Sequence, residues 1–251
     1  MMSRGELDQL RLVKMEHVYQ PLWNVTNMSL FGYEALLRFP DGFFQGNIET
    51  CFEQAREVGI LYELDTRSIE GAASSFPLHQ LNEERLFINI YPSTLLHPQF
   101  EAFIDQFLLT YPQAYGKIVF ELSETKFEDD IWEVKELKER VWLLKEKGFS
   151  IALDDIGKGA AELQKMIEFT PDYIKLDRYF ANELAVSKEK QEMIALFIQY
   201  SKGKMGVILE GIEQGLDLEQ AKKLHVPVAQ GYLLGRPQKI TTQSFIRDFS
   251  A

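Results

Sequence analysis

The run Phe149-Ser150-Ile151-Ala152-Leu153-Asp154-Asp155 decides how this chain is read. Its apolar stretch is nearly continuous, as in a parallel strand covered on both faces, and it ends on two adjacent acids. The same form recurs on either side of it. Upstream lie Arg85-Leu86-Phe87-Ile88-Asn89-Ile90-Tyr91 and Lys117-Ile118-Val119-Phe120-Glu121. Downstream lie Asp172-Tyr173-Ile174-Lys175-Leu176, Met205-Gly206-Val207-Ile208-Leu209-Glu210 and Val228-Ala229-Gln230-Gly231-Tyr232. Two earlier runs, around Val18-Tyr19-Gln20 and Phe31-Gly32-Tyr33-Glu34-Ala35-Leu36, bring the tally to about eight. The Asn24–Ser29 spacer between those two is too short for a helical crossover, so they pair as an antiparallel hairpin.

The segments between strands carry the helical period. From Ile131, the apolar positions Val134, Leu137, Val141 and Leu144 share one helical face. Asp129 and Asp130 precede them, Lys145 and Lys147 sit near the end, and Gly148 lies just beyond. That is the charge order the helix dipole favours, with a glycine stop. Trp132 and Trp142 on this helix, like the other aromatic and Met residues, are expected to be core or helix-packing residues. Strand and helix alternating at this length predict an α/β barrel of the TIM-like (β/α)8 kind, with an open doubly wound sheet as second choice. No linker or low-complexity tract interrupts residues 1–251, so a single domain is expected.

Composition narrows the function. The chain has 251 residues, 45% hydrophobic and 26% charged, which fits a globular protein and excludes disorder. Thirty-eight acidic against 27 basic residues leave a formal charge of −11. Such a chain repels phosphate backbones, so polymeric nucleic acid is excluded as a partner. An anionic ligand would need a local device, such as bound cations, to invert the field. No apolar segment is long enough to span a membrane, and acids stand where a signal peptide would be apolar, so a cytoplasmic location is expected. Cys51 is the single cysteine, which rules out an intrachain disulfide and a cysteine-rich zinc site. The four histidines, His17, His79, His97 and His225, lie far apart and form no metal-binding pair.

Polar residues recur at or near the strand ends: Glu34, Asn89, Glu121, Asp154 with Asp155, Lys175, Glu210 and Gln230. In an α/β barrel those ends form one rim around one mouth. Each has a plain structural explanation. Asp154 and Asp155 could cap a helix, Glu210 and Glu213 could start one, and Asn89 could satisfy a turn. Lys175 could pair with Asp177 or with another acid across the rim. Taken together on about seven strand ends, they point instead to a metal site. Crowded carboxylates repel one another unless cations neutralise them, and an oxygen-only donor set suits Mg²⁺ or Mn²⁺. Adjacent Asp154 and Asp155 suit a bridged pair of metals.

At these residues the sequence resembles the EAL domain family of cyclic-di-GMP phosphodiesterases. Tyr33-Glu34-Ala35-Leu36-Leu37-Arg38-Phe39 carries the signature. Asn89-Ile90-Tyr91-Pro92, Glu121-Leu122-Ser123-Glu124, Asp154-Asp155-Ile156-Gly157 and Ile174-Lys175-Leu176-Asp177 follow in family order. Glu210-Gly211-Ile212-Glu213 and the run Gln230-Gly231-Tyr232-Leu233-Leu234-Gly235-Arg236-Pro237 complete it, so the likeness runs from about Tyr19 to Pro237. It implies a TIM-like barrel with an antiparallel first strand and hydrolysis of cyclic-di-GMP to linear pGpG. By resemblance, Glu34, Asn89, Glu121 and Asp154 hold one metal, and Asp154, Asp155 and Glu210 a second. Lys175 orients the attacking water and Glu210 helps deprotonate it. Arg38 with Leu37, and Gln20, Glu213 and Gln230, line the substrate site, while Glu124 anchors the loop after the paired aspartates.

That loop is where the likeness breaks. The family usually reads Asp-Asp-Phe-Gly-Thr-Gly-Tyr-Ser-Ser; this chain reads Asp154-Asp155-Ile156-Gly157-Lys158-Gly159-Ala160-Ala161-Glu162. In the family the loop couples the second metal, Glu124 and the dimer contact. The alternative is therefore a cyclic-di-GMP receptor or protein-interaction module with weak or no turnover. A homodimer and a regulatory protein partner are the further associations the resemblance suggests.

Overall fold

A computed structural model of the chain describes residues 10, 13–40, 47–122, 131–132, 135–157 and 161–240. Eight strands close into a barrel in sequence order: β1 (Glu16–Asn24), β2 (Leu30–Arg38), β3 (Arg85–Ile90), β4 (Ile118–Leu122), β5 (Ser150–Ile156), β6 (Tyr173–Leu176), β7 (Gly206–Leu209) and β8 (Val228–Ala229). Helices α1 (Ile48–Glu57), α2 (Leu61–Ser74), α3 (Pro92–Leu95), α4 (Phe100–Thr110) and α5 (Lys135–Glu146) lie between the earlier strands. Helices α6 (Ala161–Phe169), α7 (Arg178–Ala181), α8 (Lys188–Ser201) and α9 (Gly215–Lys223) lie between the later ones. Strands β2 to β8 run parallel, and β1 is antiparallel to both its neighbours. The expected TIM-like barrel and its hairpin are thus both present. Asn24 builds the hairpin turn, its Oδ1 accepting the Thr26 amide at 3.0 Å, and Asn27 Oδ1 accepts the Ser29 amide at 3.0 Å.

Two-residue periodicity inside the strands places the site. Successive strand side chains face opposite ways, so every second residue points into the barrel. Leu22, Phe87, Val119, Ala152, Ile208 and Val228 form a buried layer there, joined by Phe31 and Tyr173. Two residues further toward the mouth on each strand stand Gln20, Asn89, Glu121, Asp154, Lys175, Glu210 and Gln230. The intervening residues, among them Ile88, Phe120, Leu153, Ile174 and Leu209, point outward into the main core under the helices. Near-continuous apolar runs interrupted by one polar residue are therefore the signature of an apolar floor beneath a polar mouth.

Several boundaries depart from expectation for local reasons. Helix α5 is described from Lys135, so Asp129, Asp130 and Val134 fall outside the described residues. Its Leu137, Val141 and Leu144 are buried as the period requires, and Gly148 (φ +88°) follows the helix end. Trp132 is buried, but Trp142 is 54% exposed and so lies outside the core, leaving only the helix-packing side of that expectation open to it. It follows the inward Val141 by one position and so turns away, with the Lys145 ammonium over its ring. Strand β8 stops after two residues because Gly231 leaves the sheet to pack on Ile212; a Cβ there would lie 2.1 Å from the Ile212 carbonyl oxygen. Cys51 is buried and unbridged. No described helix is long and apolar enough to cross a membrane.

One buried group gives the fold a pH signature. His17 on β1 is wedged against Gly71 of α2, with Nε2 3.3 Å from Ser68 Oγ. Burial, aided by the nearby Arg38 charge, lowers its pKa to about 4. The unfolded chain therefore takes up this proton at higher pH than the folded one. Stability is full above about pH 6.5 and falls as pH drops toward 4. Between pH 7 and pH 5, urea unfolding should show wild type losing about 2 kcal/mol more stability than His17→Leu. Equal losses would show that His17 is not the group responsible.

Candidate functional site

A β-bulge aims two consecutive acids at the same point. Leu153 pairs with Ile174 and Ile156 with Leu176, so Asp154 and Asp155 together face the single residue Lys175. In a regular strand one of the two carboxylates would point into the helical layer. Here Asp155 takes a left-handed backbone (φ +60°), a conformation that Asp tolerates better than most residues. The acids Asp154, Asp155 and Glu210 consequently bring one oxygen each to within 4.8 Å of the others, a grouping able to hold a cation.

Lys175 stands at the centre of the mouth, fully buried. Its Nζ lies 2.7 Å from Glu121 Oε1, 2.8 Å from Glu210 Oε1, 3.2 Å from Asp154 Oδ1 and 3.5 Å from Glu34 Oε1. An ammonium has three protons for these four carboxylates, and both Glu121 oxygens and Asp154 Oδ1 are buried without a well-directed donor. Gln230 Nε2 donates to the other Glu34 oxygen at 2.7 Å, and Gln20 Nε2 donates to the Gly235 carbonyl at 3.0 Å.

The charge balance shows in the ionisation of these groups. Burial disfavours the Lys175 ammonium, but Asp154, Glu121, Glu210 and Glu34 outweigh it and hold its pKa well above the usual lysine value. One positive charge cannot stabilise four carboxylates. Burial, opposed by Lys175 and reinforced by Glu34 and Asp154, therefore raises Glu121 well above the carboxylate range. The same forces, again led by burial, lift Glu210 to about 8. Orphaned oxygens and a hard-oxygen donor set together fit one or two divalent cations.

Asp155 lines two clefts that flank this cluster. One, of about 280 Å³, also holds Leu37, Arg38, Asn89 and Asp154. The other, of about 310 Å³, also holds Gln20, Glu34, Glu210, Glu213 and Gln230. Apart from Glu121 and Lys175, enclosed between them, every described residue expected at the site lines one cleft or the other. Glu124 and the loop residues Lys158, Gly159 and Ala160 lie outside the described residues. Of the plainer alternatives, Lys175 pairs with acids across the rim and not with Asp177, which caps α7 by accepting the Tyr179 amide at 2.8 Å. Glu210 and Glu213 do not start a helix, since α9 begins at Gly215. Sequence reasoning missed Arg178 and Tyr232 on the second cleft; their only signal is a position just beyond strand ends already marked by Lys175 and Gln230.

A closed barrel with a carboxylate-ringed mouth defines a class of metal-capable TIM-like proteins. Within it, the EAL domain family model matches residues 6–237, and the chain belongs to that family. It is 26% identical over 244 residues to the probable cyclic di-GMP phosphodiesterase PdeN of Escherichia coli K12, covering 91% of this chain and 44% of that protein. It is 27% identical over 231 residues to the cyclic di-GMP phosphodiesterase RocR of Pseudomonas aeruginosa, covering 89% of this chain and 57% of RocR. The chain thus spans less than two thirds of either relative's length. The PaMucR phosphodiesterase in complex with c-di-GMP superposes with a TM-score of 0.80 at 21% identity, over 96% of this chain and 99% of that one. Klebsiella pneumoniae BlrP1 with calcium and cyclic-di-GMP gives 0.79 at 24% identity, over 95% and 58%. Both superpositions establish the shared fold.

The central ammonium yields a direct prediction. Lys175→Met leaves the buried carboxylates without their counter-charge and should destabilise the cation-free protein by about 3–5 kcal/mol, read by urea unfolding. Millimolar Mn²⁺ should restore most of that loss. A variant as stable as wild type without cations would show that Lys175 does not hold the mouth together.

Proposed function

We propose that this chain hydrolyses cyclic-di-GMP to linear pGpG with divalent cations, Mg²⁺ or Mn²⁺, held at the barrel mouth. The observation that carries the reading is the set of four carboxylates sharing the single Lys175 ammonium, with buried oxygens left unsatisfied. Glu34, Asn89, Glu121 and Asp154 hold one cation; Asp154, Asp155 and Glu210 hold the other. Family membership and the names of its relatives support the substrate. When bound, the cations neutralise the phosphodiester, activate water and stabilise the leaving oxygen. They also reconcile an acidic protein with an anionic substrate.

The chain's own residues do the rest. Lys175 donates a hydrogen bond to the attacking water and steadies the charge that develops on the phosphate. Glu210, at the cluster's edge, takes the proton. Arg38 in the first cleft pairs with a phosphate oxygen, and Leu37 forms the wall beside it. Gln20, Glu213 and Gln230 line the second cleft, so each half of the two-fold dinucleotide has its own side of the metal cluster. On α6 and α8, Leu163, Ile167, Met193, Leu196 and Tyr200 leave an apolar face 40–64% exposed, which supports a homodimer built on these helices.

Chromatography of cyclic-di-GMP incubated with pure protein and Mg²⁺ or Mn²⁺ should yield pGpG, and Glu34→Ala should yield none. Lys175→Ala should lower kcat by about 100-fold or more while KM moves only a few-fold. Nucleotide recovered bound but intact would select the receptor reading that the departure at Lys158–Glu162 favours. A Lys175→Ala rate equal to wild type would remove that residue from the chemistry.

A further inference from the structure

Strands β2 and β3 separate before β3 ends. Their pairing runs from Gly32 with Arg85 to Ala35 with Ile88, while β3 stays paired with β4 as far as Ile90 with Leu122. The first cleft opens in the gap, with Leu37 and Arg38 on one side, Asn89 and Tyr91 on the other, and Asp65 of α2 also in its lining. Leu86 sends its amide to the β4 side, to the Lys117 carbonyl at 2.9 Å. Backbone amides alternate sides along an extended chain, and Tyr91 is still extended (φ −82°, ψ 136°). Its amide therefore faces the side that β2 has left. A buried amide in that position needs an acceptor. Asp65 supplies it: Oδ2 accepts the Tyr91 N–H at 3.0 Å, and the side chain is only 2% exposed. The carboxylate takes the place of the missing strand.

This bond fixes main chain, where the neighbouring contacts fix a ring. The Tyr91 ring stacks on Phe52 of α1 with centroids 5.0 Å apart, and the Arg56 guanidinium lies 5.7 Å from its centroid. Asn89 stands two residues back, beside Glu121 in the β3–β4 register. A strand end tethered on one edge can swing; tethered on both, it presents its side chains in a fixed direction. An uncharged ligand such as Asn89 depends most on such support, because it has no charge to draw it to an ion. We propose that Asp65 is a positioning residue that aims the Asn89 carboxamide at the carboxylate cluster, acting through the Tyr91 amide and touching neither cation nor substrate. The inference deepens the cation site proposed above and rests on it.

Calorimetric titration with Mn²⁺ tests this without turnover. Asn89→Ala identifies the binding step to which Asn89 contributes. Asp65→Ala should weaken that same step about tenfold, the effect of removing a partner that orients a metal ligand. Asp65→Asn keeps an acceptor oxygen for the amide and should recover most of the affinity. Adding Asp65→Ala to Asn89→Ala should weaken binding no further, as a residue acting through Asn89 requires. Hydrogen exchange of the wild type supplies a readout that needs no variant. Saturating Mg²⁺ should slow exchange of the Tyr91 amide about tenfold, the reciprocal of the same coupling. Wild-type affinity in Asp65→Ala, no recovery in Asp65→Asn, or an undiminished loss in the Asn89→Ala background overturns the positioning role alone. Tyr91 exchange unmoved by Mg²⁺ overturns it equally. Failure of wild type to bind either cation overturns the proposed metal site, and this role with it.

Discussion

Lys175 Nζ lies within 3.5 Å of carboxylate oxygens from Glu34, Glu121, Asp154 and Glu210 and is shielded from solvent. A buried ammonium without those acids would lose its proton, and the acids without it would lose their charge or push apart. Strands β2, β4, β5 and β6 and the end of β7 each contribute one charge to this balance, so the mouth cannot be assembled piecemeal. The balance is also incomplete, because one cation cannot satisfy four carboxylates, and Glu121 and Glu210 hold their protons tightly as a result. A site in this condition has capacity for further positive charge, and divalent cations supply it most densely.

The apolar layer beneath makes the arrangement affordable. Phe87, Val119, Ala152 and Ile208 fill the barrel interior two residues below Asn89, Glu121, Asp154 and Glu210. Water is kept from the underside of the cluster, which strengthens every charge interaction above it. The bulge at Asp154–Asp155 then supplies what regular pleating forbids, two successive side chains on one side. Structure and chemistry meet at that irregularity: the residue with left-handed backbone, Asp155, is the one shared by both flanking clefts.

Much of this was legible in the sequence, and the reasons can be named. The β-runs read clearly because strands buried on both faces are apolar at nearly every position. The polar exceptions among them marked the mouth before any coordinate did. The first hairpin followed from a spacer of six residues, Asn24–Ser29. Less legible were features fixed by contacts across the barrel. Nothing local says that Lys175 meets four acids from four other strands, or that β5 continues through Ile156 around a bulge. Arg178 was invisible because its place depends on Gly211, a residue more than thirty positions away that offers it no side chain. Residue type alone did not place Trp142, whereas its position beside the buried Val141 on the helix decided exposure.

The claim on which the rest depends is that the carboxylate cluster holds two bridged divalent cations. Electron paramagnetic resonance of the protein titrated with Mn²⁺ addresses it directly, because ions sharing a carboxylate bridge couple magnetically. The account predicts two Mn²⁺ per chain, an exchange-coupled spectrum at saturation, and loss of that coupling in Asp154→Ala. A spectrum of one isolated Mn²⁺ per chain at saturation, or no binding at all, would contradict it.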